Sequence, residues 1–250
     1  MALFFRDDDY DESVRQVGFA RYRQLLSTYF GRWLVVNLLT LLGSLPLAAG
    51  IAAGILWSSV LVLIPASLLG GMVFGPFLAG LYDAILRGLR DAPGSWRENY
   101  RRSWRQNAVG SLLPGALLGL MAGMFAFMLY LLYSATAAPG WGTLLPYLFS
   151  MALCLLIATL YWPQLVLFRQ SNGIRLRNAV LFTIRHFGCV ALSVLLQLGY
   201  LLVFVLFAPW TLLLLPLLGY WYIVFVSQFV LYDALDAELH IEEQFDALDA

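Results

Sequence analysis

The sequence predicts an all-α polytopic membrane protein with six transmembrane helices, and two observations support this. First, 61% of the 250 residues are hydrophobic and 12% are charged, unlike the composition of a soluble domain. Second, all 15 positive charges are arginines, and they fall in three stretches, at residues 6–32, 87–105 and 169–185. Long apolar runs separate these stretches, so the bilayer is the expected solvent.

The alternation of basic and neutral connections predicts how the helices are oriented. No Arg or Lys stands near Trp57, at residues 134–143 or near Pro209, whereas the intervening connections carry the arginines. Cytoplasmic loops of membrane proteins have an excess of basic residues. We therefore expect a multi-pass membrane protein with both chain ends in the cytoplasm.

Six apolar windows are long enough to cross a bilayer, which requires about 20 residues. In chain order they cover residues 33–56, 58–86, 109–133, 142–168, 188–208 and 211–231. Pro46, Pro65 and Pro76 interrupt the first two windows, so one crossing plus a re-entrant segment is an alternative there. That alternative would place Arg87 on the outer side, and the interpretation with six crossings avoids this.

The segments at the two ends of the chain are predicted to lie outside the six-helix domain, which spans residues 33–232. Residues 1–32 combine an acidic start with an amphipathic helix, and no cleaved signal peptide is expected because the first residues are acidic. Residues 233–250 form an acidic cytoplasmic tail with apolar residues at loosely helical spacing. Either a short amphipathic helix near the arginine-rich surface or a solvated tail fits this pattern.

Three arginine-bearing segments resemble one another, and each precedes two crossings, which indicates a possible threefold internal repeat. The clearest is the helix expected near 95–107, where Ser95 and Glu98 predict a capping box. Its aromatic and arginine residues form two parallel stripes at helical spacing: Trp96, Tyr100, Trp104, Arg97, Arg101 and Arg105. Another such helix is expected near 174–187. Each segment is expected to lie in the headgroup plane before the chain turns into the bilayer.

The arginine stripes favour two interpretations. They could bind anionic lipid headgroups or acidic groups of a cytoplasmic partner, at about 1 kcal/mol per basic residue, or they could only fix the topology. The candidate contact residues are Arg97, Arg101, Arg105, Trp96, Tyr100, Trp104, Asn107, Arg177 and Asn178. Nucleic acid is not an expected partner, because the neighbouring acidic segments cancel much of the field that phosphate binding requires.

Polar side chains inside the apolar windows are few. Asp83 is the carboxylate among them, and its position four residues before Arg87 predicts an ion pair at the inner interface. Asn37, Gln164 and Gln197 are expected to form interhelical hydrogen bonds rather than to line a substrate pathway. Neither these residues nor any catalytic motif indicates an enzyme, a cofactor or a metal site.

Glycine positions predict which helices pack most closely. Gly71 and Gly75, like Gly115 and Gly119, have the small-xxx-small spacing that allows helix backbones to approach each other in lipid. The first three helices should therefore be tightly packed. The last two helices, rich in leucine and aromatic residues, are expected to face lipid.

The stretch FGPFLAGLYDAILRGLRDAPGSWRENYRRSWRQN resembles the central signature of the YesL-like family of bacterial membrane proteins. The matching residues are Gly75, Leu81, Tyr82, Arg90, Trp96, Tyr100, Arg101, Arg105, Gln106 and Asn107. A second match covers Leu176, Arg177, Asn178 and Ala179, whereas the Gly/Pro-rich region between Pro46 and Gly75 departs from the family. The resemblance implies a protein of the bacterial inner membrane that is often associated with carbohydrate uptake systems and has no assigned catalytic residues.

The sequence thus predicts a non-enzymatic accessory or regulatory partner of a bacterial carbohydrate or solute uptake system, with a membrane transporter as its partner. The alternative is a small secondary transporter or channel that passes substrate between proline-kinked helices. A water-filled cavity that reaches Asn37, Gln164 and Gln197 would favour transport, and a solid glycine-packed bundle would favour the partner role. The oligomeric state is left open.

Overall fold

The computed structural model describes residues 16–135 and 140–244, and no strand occurs in these two ranges. The helices in chain order are α1 (Gly18–Leu56), α2 (Val60–Leu89), α3 (Trp96–Ser134), α4 (Trp141–Leu167), α5 (Asn172–Arg185), α6 (Phe187–Leu206), a short 3-10 helix (Trp210–Leu214) and α7 (Leu215–Leu239). Six of these helical segments, with the 3-10 helix and α7 taken together, are long and apolar enough to cross a membrane. The predicted all-α polytopic class is confirmed.

All three arginine-bearing segments lie at one end of the bundle, which we call the arginine end. At this end Arg21 of α1 forms an ion pair with Asp91 beyond α2, at 2.6 Å. Arg185 of α5 pairs with Glu238 of α7, also at 2.6 Å. The starts of α1, α3 and α6 therefore stand beside the ends of α2, α4 and α7, as an even number of crossings requires.

The first three helices pack most extensively, as the glycine spacing predicts. A Cβ atom added to Gly71 would lie 2.8 Å from the Cα atom of Gly119 and would also collide with the backbone of Gly115. Gly75 faces the backbone of Ser111 and Gly115 just as closely. Because no side chain separates them, α2 and α3 gain van der Waals contact along their backbones.

Prolines do not break the first two crossings. Pro46 lies inside α1, and Pro65 and Pro76 lie inside α2, with both helices continuous around them. The region therefore contains two full-length helices rather than a crossing with a re-entrant segment. The break in the bundle is instead in α7, where Gly219 has non-helical backbone angles, φ −31° and ψ −125°.

The three arginine-bearing segments differ in how they join the crossings. α1 and α3 are each 39 residues long and carry their amphipathic starts straight into the bilayer region. Only α5 is a separate helix, which His186 divides from α6. The expectation that every segment turns before the bilayer is wrong for the first two, because a continuous helix keeps its backbone hydrogen-bonded as it crosses into lipid.

Two local predictions also need correction. Ser95 precedes α3 as its N-cap residue, but its side chain forms no capping hydrogen bond, so the predicted capping box is absent there. α7 faces lipid only in part: Leu217 in its first turn is exposed, but Trp221 and Phe225 are buried against Trp33 of α1, with 4.6 Å between the ring centres of Trp33 and Phe225. α6 carries many exposed leucines and matches its prediction.

The predicted domain boundaries at residues 32 and 232 both fall inside helices, α1 and α7. α7 ends at Leu239, and His240, which follows it, has a left-handed backbone with φ 48°. Beyond it, Ile241 is fully buried and the backbone N–H of Glu242 donates to Asp236 at 2.8 Å. As far as residue 244 the acidic tail is thus folded against the bundle. The acidic start of the chain lies outside the described residues.

Candidate functional site

The first turns of α3 present arginines away from the bundle. Their aromatic neighbours face α2: the Tyr100 ring covers Gly80, and Trp104 meets Phe77 edge to face at 6.0 Å between ring centres. This packing fixes the rotation of the helix about its axis. The side chains one or two positions along are consequently exposed, and they are Arg97, Arg101, Arg102 and Arg105, which we call the α3 arginine face.

The α3 arginine face is not neutralised by the described part of the chain. The Arg97 guanidinium lies 5.5 Å from the ring centre of its neighbour Trp96. Within residues 16–135 and 140–244, no carboxylate forms an ion pair with any of its four guanidinium groups. Exposed guanidinium groups can bind carboxylates or phosphates through two parallel hydrogen bonds. The face is therefore available to an external anion.

Behind this face, Asp83 is buried and forms the predicted ion pair. Its carboxylate accepts a hydrogen bond from Nε of Arg87 at 2.9 Å, and the Ser103 hydroxyl of α3 also hydrogen-bonds to it. Asn107 donates to the Ser103 hydroxyl at 3.3 Å and to its carbonyl at 3.0 Å. These contacts join α2 to α3. Asp83 and Asn107 are thus occupied in structural hydrogen bonds.

A small cleft opens beside this ion pair between α1, α2 and the start of α3. Its lining includes the polar groups of Tyr29, Arg32, Arg87 and Asn99. The cleft has a volume of about 40 Å³, which is enough for about two or three water molecules. A sugar or an amino acid does not fit in this space.

Asn37 of α1 forms hydrogen bonds with backbone groups on both sides of the break in α7. Its Nδ2 donates to the carbonyls of Leu215 at 2.9 Å and Pro216 at 3.0 Å, and its Oδ1 accepts the backbone N–H of Trp221 at 3.3 Å. These are backbone groups that lose helical partners when the chain departs from helical angles at Gly219. The Asn37 side-chain amide therefore provides hydrogen-bond partners for backbone groups that the break in α7 leaves without helical ones.

Tyr200 of α6 completes this arrangement from the other side. Its hydroxyl donates to the carbonyls of Leu218 at 2.9 Å and Gly219 at 3.0 Å. The Trp221 indole N–H donates to the carbonyl of Leu217 at 2.7 Å. Unsatisfied backbone groups are costly in lipid, so α1 and α6 together make the break in α7 tolerable.

The predicted amides Gln197 and Gln164 lie elsewhere and do not share a site with Asn37. Gln197 of α6 donates to the Thr159 hydroxyl of α4 at 2.7 Å, and Gln228 of α7 donates to the Thr159 carbonyl at 3.1 Å. Gln164 of α4 donates to the carbonyl of Arg175 in α5 at 3.2 Å. All three predicted amides form interhelical hydrogen bonds, as expected.

The third arginine-bearing segment, α5, carries two of the predicted contact residues, Arg177 and Asn178. Arg177 is exposed, and Asn178 donates to the side chain of Gln170 at 3.4 Å. Much of the apolar side of α5 is also exposed, at Ile174, Leu176, Val180, Leu181 and Ile184. An exposed apolar surface beside a basic residue is typical of a helix at the membrane interface.

Sequence reasoning missed two polar residues that the fold uses. Tyr200 stands in an apolar window rich in aromatic residues, with no signal that its hydroxyl caps another helix. Arg175 is buried, although its position in a basic segment predicted only an interfacial charge. Pro216 and Gly219, three residues apart in the last window, were the one signal for the break in α7.

Comparison of the chain with protein-family models, with curated proteins and with solved structures gave no match. Function is therefore inferred from the chemistry of the residues themselves.

Proposed function

We propose that this protein is a non-enzymatic accessory or regulatory partner of a bacterial carbohydrate or solute uptake system, in keeping with its resemblance to the YesL-like family. The observation that carries the proposal is the α3 arginine face, whose guanidinium groups are exposed on a helix held rigidly by aromatic packing. Such a surface is complementary to acidic groups on the cytoplasmic side of a membrane transporter.

The interior of the bundle supports a partner role over a transport role. Asn37, Gln164 and Gln197 are each committed to hydrogen bonds with another helix. None of the three lines the cleft at the arginine end or the groove between α3 and α4. Transport coupled to an ion gradient generally uses buried groups that can bind and release that ion. Here the buried polar groups hold helices together.

The proposal places the arginine end in the cytoplasm of a bacterial cell. Ser95 and Ser134 are exposed at opposite ends of α3, and each can be replaced by cysteine after the native Cys154 and Cys189 are changed to alanine. An impermeant thiol reagent added to whole cells should label Ser134→Cys and reach Ser95→Cys only after lysis. The reverse order of labelling would contradict the orientation.

Crosslinking in native membranes tests the partner role. The triple variant Arg97→Gln/Arg101→Gln/Arg105→Gln should lose its crosslinks to neighbouring transport proteins and keep its thermal stability. The matched control is Arg23→Gln/Arg32→Gln/Arg169→Gln, which removes the same charge from exposed positions outside the α3 arginine face. Equal crosslinking by the two variants would show that the α3 face is not the contact.

The alternative is a small secondary transporter or channel, and the break in α7 favours it, because discontinuous helices are common at transporter substrate sites. Purified protein in liposomes is expected not to accumulate sugars or amino acids under an imposed proton or sodium gradient. If the unaltered protein does accumulate substrate, and Asp83→Asn or Gln197→Leu abolishes this uptake, the protein is a transporter and not an accessory partner.

A further inference from the structure

A long apolar groove runs between α3 and α4 and ends at α5. It has a volume of about 350 Å³ and is lined almost entirely by apolar side chains, among them Leu113, Leu117, Met121, Ile157 and Leu176. From Leu113 to Met121 the groove follows α3 for about 12 Å. This volume lies within the range of ligand-binding pockets. Its shape and lining suit a hydrocarbon chain.

At the α5 end of the groove lies a buried cation. Arg175 is only 7% exposed. Its guanidinium donates to Oδ1 of Asn172 at 3.0 Å and to the carbonyl of Phe168 at 3.3 Å, and it lies 5.8 Å from the ring centre of Tyr161. Nε is buried without a hydrogen-bond partner. No carboxylate of residues 16–135 or 140–244 pairs with Arg175, although buried charges are normally paired.

The residue between the groove and this cation is free to bind an anion. Asn172 lines the groove and is exposed, and its Oδ1 accepts from both Tyr161, at 2.8 Å, and Arg175. The Nδ2 group has no hydrogen-bond partner among the described residues. Asn172 is also the first residue of α5, a helix of 14 residues with no acidic side chain in its first turn. The positive end of the helix dipole thus adds to the field of Arg175.

The next residue has no side chain and leaves the approach open. Gly173 follows Asn172, and a Cβ atom added there would meet no atom within 4 Å. An anionic group can therefore reach the first turn of α5 from the groove mouth. The groove, the buried guanidinium and the helix start converge on one ligand chemistry, a hydrocarbon chain that carries an anionic head.

We propose that the groove between α3 and α4 is a binding site for an anionic phospholipid, with an acyl chain in the groove and the phosphate at Asn172 and the start of α5. Arg175 acts as the fixed positive charge behind Asn172. Zwitterionic lipids can fill the groove, but their positive headgroup atoms weaken the attraction to Arg175. The site therefore selects for headgroup charge rather than for hydrocarbon alone.

Native mass spectrometry of the purified full chain in detergent tests the site. Phosphatidylglycerol and phosphatidylcholine with identical acyl chains are titrated separately. The first phosphatidylglycerol should bind at least about tenfold more tightly than the first phosphatidylcholine, since one charged hydrogen-bonded contact distinguishes the two. In Arg175→Gln the two lipids should bind equally. Arg185→Gln, which removes an exposed charge from the same helix, should keep the preference.

Two further variants keep the test decisive if Arg175→Gln does not fold. Leu117→Trp fills the groove and should weaken binding of both lipids, and Asn172→Ala should weaken only that of phosphatidylglycerol. Equal binding of the two lipids to the unaltered chain, or a preference unchanged in Asn172→Ala, would overturn the proposal. Full displacement of phosphatidylglycerol by millimolar inorganic phosphate would do so as well, because the site would then recognise free phosphate.

Discussion

Replacing Asn37 by leucine tests whether the break in α7 depends on a single side chain. The change keeps the size and removes three hydrogen bonds to α7, of 2.9, 3.0 and 3.3 Å. Interhelical hydrogen bonds in membranes contribute about 0.6 kcal/mol each, or about 2 kcal/mol for three. The carbonyls of Leu215 and Pro216, which are only partly buried, would also lose a partner, and this adds up to about 3 kcal/mol for the two together. We expect a loss of roughly 2–5 kcal/mol in the free energy of unfolding.

The matched control is Thr40→Val on the same helix. Thr40 is as fully buried as Asn37, but its hydroxyl donates to the Val36 carbonyl of its own helix at 2.8 Å. That carbonyl retains its helical partner, so Thr40→Val should lower the free energy of unfolding by less than about 1 kcal/mol. Reversible unfolding of both variants in lipid bicelles, measured by steric trapping, gives the two free energies. Equal losses for Asn37→Leu and Thr40→Val would refute the role assigned to Asn37.

Two further predictions concern packing. Trp104→Glu should destabilise the protein by several kcal/mol because the indole is partly buried against Phe77, where a carboxylate is poorly solvated, whereas Arg102→Glu on the exposed face should change stability by less than about 0.5 kcal/mol; equal thermal midpoints would show that Trp104 does not contribute this packing. Gly71→Ala should cost about 1–3 kcal/mol, because its Cβ has no room beside α3. Gly199→Ala, with no atom within 4 Å of its Cβ, should be neutral or stabilising by up to about 1 kcal/mol in the same unfolding experiment, and the opposite ranking would contradict the packing described for α2.

The number of crossings, and the location of the arginines at one end of the bundle, could be predicted because both depend on local composition. Transfer of 20 apolar residues into lipid, or of one guanidinium out of it, is nearly independent of the rest of the fold. The glycine contacts between α2 and α3 were also predictable, since small residues four positions apart admit a second backbone wherever they occur. The pair of Asp83 and Arg87 is local in the same sense.

What could not be predicted depends on partners far away in the chain. An amphipathic segment such as that ending at Arg32 has the same pattern whether it lies flat or continues as the same helix. The burial of Trp221 and Phe225 could not be predicted from the sequence, because the protein interior and lipid are equally apolar and favour the same side chains. The break at Gly219 is stable only with Asn37 and Tyr200 in place, and no periodicity reveals that contact.

The pairing of Asn37 with α7 has a consequence for how the protein is made. Asn37 belongs to the first crossing, and its carbonyl partners come 178 and 179 residues later. Chains grow at about 5–20 residues per second. Roughly 10–35 s therefore pass between the synthesis of Asn37 and that of its carbonyl partners in α7. During synthesis the bundle has five crossings and an unoccupied amide on α1. Only the arrival of the last helix gives that amide these partners, so a chain truncated before α7 leaves Asn37 without them.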